Sequence, residues 1–358
     1  MIDLMTVVVA FSVQEATVFK NSGQALGDGV SVSIALGDIN GDGNLDAMVA
    51  NTFAQPNRIW INDGKGKFTD SGQLLGKSWS QSVALGDLDG DGDIDALIAN
   101  QGFEEHNAVW KNDGDGKFTK SPQKITGKKS QSVALGDLDG DGDLDAMIAN
   151  FGYPNTIWKN NGKGEFVKSA QALGKADSFL VRLGDLDGDG HLDGVVANYN
   201  GQPNTVWKND GNGVFLDSGQ TLGNDNSQSV ALGDLDGDGD LDAMFVNRGQ
   251  PTTIWLNDGK GVFSRSRQTI TAESGFTAAL GDFDDDGDLD VMIASLEYSE
   301  GVPNTVWLND GSGAFTDSGM QLGNKKSFSV TLGDLDGDGK ADAMFANYGE
   351  PNSVWVND

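Results

Sequence analysis

The chain has no cysteine, so disulfides, thiolate metal sites and a cysteine nucleophile are all excluded. Histidine is almost as scarce: there are two, His106 and His191, and neither belongs to a recognisable catalytic triad. No apolar run approaches the roughly 20 residues needed to cross a bilayer, and membrane insertion is not expected. The opening MIDLMTVVVAFSVQEA is apolar, yet no Lys or Arg precedes Lys20, so the basic flank of a signal peptide is missing. A 3.6-residue apolar period is missing too, which predicts little helix. What is present, 37% hydrophobic and 8% aromatic residues in 358, suffices for a sizeable core.

Charge is one-sided, at −30, but it is local. Of the 54 acidic residues, 32 fall within seven copies of one phrase, written GDLDGDGDLDA at residues 136–146. Outside those copies 22 acids face 23 bases, a near-neutral surface. An acidic tail or nucleic-acid mimic is thereby excluded, no nucleic-acid partner is expected, and the concentrated charge requires a local partner.

The phrases begin at Asp38, Asp87, Asp137, Asp185, Asp234, Asp282 and Asp334, spaced 48 to 52 residues apart, which is a repeat architecture. Each unit reads as four short strands: a run such as SVALGD, a run such as DAMIAN after the acidic loop, a run such as NTIWKN, and a Phe-led run after an Asn-Asp-Gly-type hairpin. The chain stops at PNSVWVND, where other units enter that hairpin, and the piece so lacking stands near the start as FKNSGQALG, Phe19 to Gly27. A strand from the beginning that completes the last unit closes a ring and leaves no open sheet edge. The expectation is an all-β, seven-bladed β-propeller of four-stranded antiparallel blades in one domain, residues 1–358. Its blades fall at about 31–76, 80–127, 130–175, 178–224, 227–272, 275–324, and 327–358 plus 14–27. A monomer is expected. Trp60, Trp110, Trp158, Trp207, Trp255, Trp307 and Trp355 recur at one position of the third strand, as large aromatics filling the space between twisted sheets would.

Five positions of the acidic loop alternate with glycine-rich spacers and can converge on one cation. Position 1 is Asp38, Asp87, Asp137, Asp185, Asp234, Asp282 or Asp334; position 3 is Asn40, Asp89, Asp139, Asp187, Asp236, Asp284 or Asp336. Position 5 is Asp42, Asp91, Asp141, Asp189, Asp238, Asp286 or Asp338, and position 9 is Asp46, Asp95, Asp145, Asp193, Asp242, Asp290 or Asp342. Position 7 tolerates Asn44, Asp93, Asp143, His191, Asp240, Asp288 and Lys340, as a ligand acting through its backbone carbonyl would. All-oxygen donors in this number suit calcium, up to seven ions; magnesium favours a smaller octahedral shell, and transition metals favour His or Cys. An EF-hand is excluded by position 12, which is apolar in every copy, from Val49 to Phe345, where a bidentate acid is needed.

The D-x-D-x-D-G-x-x-D loop within a fifty-residue repeat resembles the FG-GAP (VCBS-type) repeat, the calcium-binding blade of the integrin alpha-subunit propeller, from Phe19 to Asp358. The resemblance implies calcium at Asp87, Asp89, Asp91, Asp93 and Asp95 and at their counterparts in every blade. The family so resembled also includes bacterial surface proteins, fungal sugar-binding propellers and propeller domains of polysaccharide lyases.

Where the repeats disagree, a ligand preference can reside. Trp79, Phe103, Tyr153, Tyr199, Arg248, Tyr298 and Tyr348 fall in connectors that emerge opposite the metal loops, and form the candidate ligand surface. The reading is a non-catalytic calcium-binding recognition or adhesion module for a glycan or surface protein, extracellular, cell-surface or periplasmic, where calcium is millimolar. Alternatives are a purely structural calcium-stabilised module and a calcium-assisted polysaccharide lyase.

Overall fold

A computed structural model describes residues 19–102, 106–272 and 274–358. All 28 elements in these residues are β-strands. Blade one sets the pattern: an inner strand, Ser31–Gly37, then a second, Asp46–Asn51, a third, Gln55–Asn62, and an outer one, Phe68–Asp70, each antiparallel to the last. The second strand is buried at all six positions in every complete copy, from DAMVAN to DAMFAN, because it lies mid-sheet with a neighbouring blade on each face. Such a strand needs no polar alternation, and the sequence has none there.

Blade three departs from the pattern. Its second and third strands form one run, Asp145–Lys159, and the connector inside that run pairs with the strand Leu173–Gly184 through Phe151↔Asp177 and Asn155↔Leu173. Blade one does the same more briefly through Gln55↔Ser78 and Asn57↔Leu75. Connectors expected to be loops on the ligand side are therefore partly sheet.

The N-terminal strand behaves as expected. Phe19–Asn21 pairs with Ser353–Asn357 in the register Phe19↔Asn357 and Asn21↔Trp355, matching Asn62↔Phe68 and Trp60↔Asp70 in blade one. Residues 14–18, assigned to the same blade, lie outside the described residues. The inner strands neighbour one another in a cycle, with Ser327–Gly333 against Ser31–Gly37.

One hydrogen bond repeats at all seven blade junctions. The asparagine ending each third strand donates its side-chain amide to a loop carbonyl of the preceding blade: Asn112 to Ile39, Asn160 to Leu88, Asn209 to Leu138, Asn257 to Leu186, Asn309 to Leu235 and Asn357 to Phe283, at 2.7–3.3 Å. Asn62 closes the cycle on Leu335 at 2.8 Å. A glutamine clasp adds to this at six junctions, where for example Gln73 donates to the Gly116 carbonyl and accepts from the Phe118 amide. Between blades six and seven Met320 stands in that place and packs against the cluster that contains Phe19. The thioether of methionine cannot donate, so this junction lacks the clasp.

The core is a set of layers between blades. Trp60 and Phe68 of blade one pack with Leu335, Met344 and Val354 of blade seven, and Trp110 and Phe118 of blade two with Met48 and Ile59 of blade one. The recurrent tryptophans are thus packing residues, with Trp60, Trp110, Trp158 and Trp207 all buried.

Candidate metal centre

Each acidic loop joins an inner strand to a second strand at one end of the ring, and its glycines set its curvature. Gly90 and Gly92 adopt φ of 76° and 94°, which brings their amides onto the position-1 carboxylate: Gly90 N–H donates to Asp87 Oδ1 at 2.8 Å, Gly92 N–H to Asp87 Oδ2 at 3.1 Å. Position 5 accepts from the amide of position 7, as Asp91 does from Asp93 at 3.0 Å. Copies elsewhere make the same bonds to position 1, including Asp137, Asp185, Asp234 and Asp334.

Position 9 has a second duty that the repeat spacing does not reveal. Asp46, Asp95, Asp145, Asp193, Asp242, Asp290 and Asp342 are all at most 1% exposed. Oδ1 of each accepts from the backbone amide of the junction asparagine, for example Asn112 to Asp95 at 2.7 Å. Except in blade four, Oδ2 also accepts from the amide of loop position 2, as from Leu88 to Asp95 at 3.2 Å. The carboxylate therefore ties its loop to the third strand. Burial pushes each of the seven up to about 6, the neighbouring loop aspartates adding to the rise and the backbone amides opposing it.

Positions 1, 3 and 9 converge. In the groups Asp87–Asp89–Asp95, Asp137–Asp139–Asp145, Asp234–Asp236–Asp242 and Asp282–Asp284–Asp290, one oxygen of each carboxylate lies within 4.8 Å of the others; in blade four the group is Asp185–Asp187–Asp189. A cation bound at about 2.3–2.6 Å spans such a set. The donor set also fits calcium in a second way: the position-3 oxygens Asp89 Oδ1, Asp139 Oδ1, Asp187 Oδ1 and Asp236 Oδ1 are buried without a hydrogen-bond partner. An unpaired buried carboxylate oxygen is costly unless an ion meets it. Position 7 points elsewhere, its side chain lying over the hairpin of its own blade; a Cβ on Gly211 would collide with the His191 ring, which explains the glycine there.

Three residues escape the sequence reading. Lys111, Lys159 and Lys208 follow the recurrent tryptophan and pair with position 3 of their own blades: Lys111 Nζ–Asp89 Oδ2 at 2.8 Å, Lys159–Asp139 at 2.9 Å and Lys208–Asp187 at 2.8 Å. Each also donates to a carbonyl of the next blade's hairpin, as Lys111 does to Lys163. The other blades place Ile61, Leu256, Leu308 and Val356 here, so the signal was a W-K against W-apolar difference between repeats.

At the other end of the ring the expected ligand residues divide. Trp79, Arg248, Tyr298 and Tyr348 gather around the central opening with Phe53: rings lie 5.1 Å apart for Phe53–Trp79, 6.0 Å for Phe53–Tyr348 and 5.5 Å for Tyr298–Tyr348, with Arg248 5.2 Å above Tyr298. Tyr199 joins through Phe179 at 5.3 Å. Tyr153 does not; it lines a separate cavity with His106 and stacks under Lys128. Phe103 lies outside the described residues. His106, which replaces a proline found in the other blades, offers its backbone carbonyl to Asn100 at 2.7 Å, as Pro56 does to Asn51.

The comparisons with known proteins agree with this geometry. No curated protein sequence matches the chain. Solved structures of BBS1N in complex with ARL6DN resemble it in fold, one from a mercury soak with a TM-score of 0.64 and 8% identity, covering 96% of this chain and 97% of that one. The other, from a lead soak, gives a TM-score of 0.65 and 8% identity over 95% and 97%. The model of the FG-GAP-like repeat matches residues 38–98, 87–148, 137–196, 185–245, 234–293 and 282–345, each span running from one acidic loop to the second strand of the next blade. The chain belongs to the FG-GAP-like repeat family.

Proposed function

We propose that the protein is a non-catalytic recognition module whose scaffold is completed by calcium in the acidic loops. The observation that carries this reading is the convergence of positions 1, 3 and 9 in blades two, three, five and six, and of positions 1, 3 and 5 in blade four, with position-3 oxygens buried and unpartnered. The residues that would hold the ion are the aspartates of positions 1, 3, 5 and 9, Asn40 in blade one, and the carbonyl of position 7. When bound, calcium supplies positive charge to a cluster that otherwise repels itself. Recognition belongs to the opposite end, where exposed Phe53, Trp79 and Tyr298 gather beside Arg248. Large exposed apolar rings grouped on connectors suit a glycan or a surface protein. The similar BBS1N is found with a protein partner, which favours the same use of this fold. The millimolar calcium of extracellular fluid, which fills even weak loops, favours a working site outside the cell or at its surface.

The test is titration of calcium into EDTA-stripped protein by calorimetry, with thermal unfolding followed in parallel. Saturable binding of up to about seven ions and a large rise in Tm are expected. Absence of both binding and stabilisation would remove the reading.

A further inference from the structure

All seven inner strands carry the same irregularity. Pairing with the second strand shifts register across the second residue, as between Ser31 and Ser33 in blade one and between Ser178 and Leu180 in blade four. Such a bulge re-aims one side chain. Here the bulged residues of all seven blades line one cavity of about 200 Å³ at the mouth of the central channel. The repeats otherwise agree closely along this strand, yet at this position they supply three glutamines, Gln81, Gln131 and Gln228, three phenylalanines, Phe179, Phe276 and Phe328, and Val32.

A second cavity of about 310 Å³ continues below, sharing these walls, and Arg182 of blade four lines it. The other blades place alanine or threonine at that register, so the guanidinium has room. Among the described residues no hydrogen bond or ion pair holds Arg182, and no carboxylate lines either cavity. Its side chain is exposed to the channel rather than packed away, so an incoming anion can reach the guanidinium directly. Two more groups are unmet: Gln131 Nε2 and Gln228 Oε1 are buried without partners, on residues only 7% and 3% exposed. One cation, one amide donor and one amide acceptor thus share a space walled by aromatic rings.

We propose that the channel mouth is a binding site for a small hydroxylated carboxylate, a sugar acid. Its carboxylate pairs with Arg182, its hydroxyls with Gln131 and Gln228, and its ring face rests on the phenylalanines. A neutral sugar leaves the guanidinium unpaired, and a bare anion leaves the amides and rings unused. The assignment deepens the recognition reading above and rests on it for the end of the ring at which the ligand sits.

Calorimetry on the calcium-loaded protein tests it, with glucuronate as probe and glucose and acetate as controls. Glucuronate should bind at one site, at least roughly tenfold tighter than either control, and Arg182→Ala should weaken it roughly tenfold or more. That variant restores the residue most other blades carry, and unchanged calcium binding and Tm would show it folded. Gln131→Ala should weaken glucuronate and leave acetate unaffected. Equal binding of glucuronate and glucose, or full binding by Arg182→Ala, would overturn the channel site. A glycan or protein partner held equally by wild type and Arg182→Ala would overturn it too, yet leave recognition by the aromatic end intact. Absence of binding by every probe and partner would remove both.

Discussion

Asp285 is where one acidic loop keeps the left-handed turn of the rest without their glycine. It sits at position 4 with φ of 60°, where the other six loops have glycine. A side chain in the left-handed region is strained, and this one adds a charge to an already crowded cluster. Asp285→Gly should therefore raise the unfolding free energy in EDTA by about 1 kcal/mol, read from urea denaturation; an unchanged or lower midpoint would contradict it. The buried position-9 carboxyls give a second expectation. Their folded pKa of about 6 exceeds the ordinary 3.8, so between those values the folded state holds protons that the unfolded state has released. Stability of the metal-free protein should thus increase as pH falls from 7 toward 5 and be lost as pH rises through 6. With calcium the trend should reverse, because protons then compete with the ion. Melting curves at pH 5 and 7, with and without calcium, check the sign.

At the scale of the element, the loops are not equivalent. A lysine already pairs with the position-3 aspartate in blades two, three and four, and blade one has Asn40 in place of that aspartate. A fixed positive charge a few ångströms from an ion opposes it by about 1 kcal/mol or more, roughly fivefold or more in affinity. Calcium binding should resolve into about three tight sites, in blades five to seven, and about four weaker ones. Lys159→Met should move one weak site into the tight class, visible as a change in calorimetric stoichiometry; a single affinity for all sites would refute the partition. Much of this element can be read in the chain. Alternating aspartates, free variation at position 7 and an apolar position 12 name the cation site, because a loop ligand set is local in sequence. The staple made by position 9 and the seven bulges are not legible, and of the lysine pair only the W-K difference between repeats is, not its aspartate partner. Each depends on a partner strand or neighbouring hairpin 15 or more residues away, whose register one strand cannot disclose. Sequence groups Tyr153 with the other connector tyrosines for the same reason, since the position of a connector in the chain does not say which cavity it lines.

For the whole molecule, blade number and the strand exchange between the two ends of the sequence follow from period and complementarity alone, as Phe19 against Asn357 shows. The junctions, however, are not uniform. Six carry both the asparagine bond and the glutamine clasp; that between blades six and seven keeps only the first, since Met320 replaces the glutamine. The missing clasp falls where the ring is held by a three-residue strand, Phe19–Asn21, contributed from the far end of the chain. A ring so built has a seam. Thermal breathing should concentrate there, so that the amides of Lys20 and Val356 exchange with deuterium sooner than their counterparts Thr69 and Ile61 in blade one. Met320→Gln should slow that exchange toward the blade-one rate, and equal rates in the wild type would exclude the seam. A propeller that opens at one known junction would start its unfolding by unzipping from that point, leaving the other six blades briefly as an open fan.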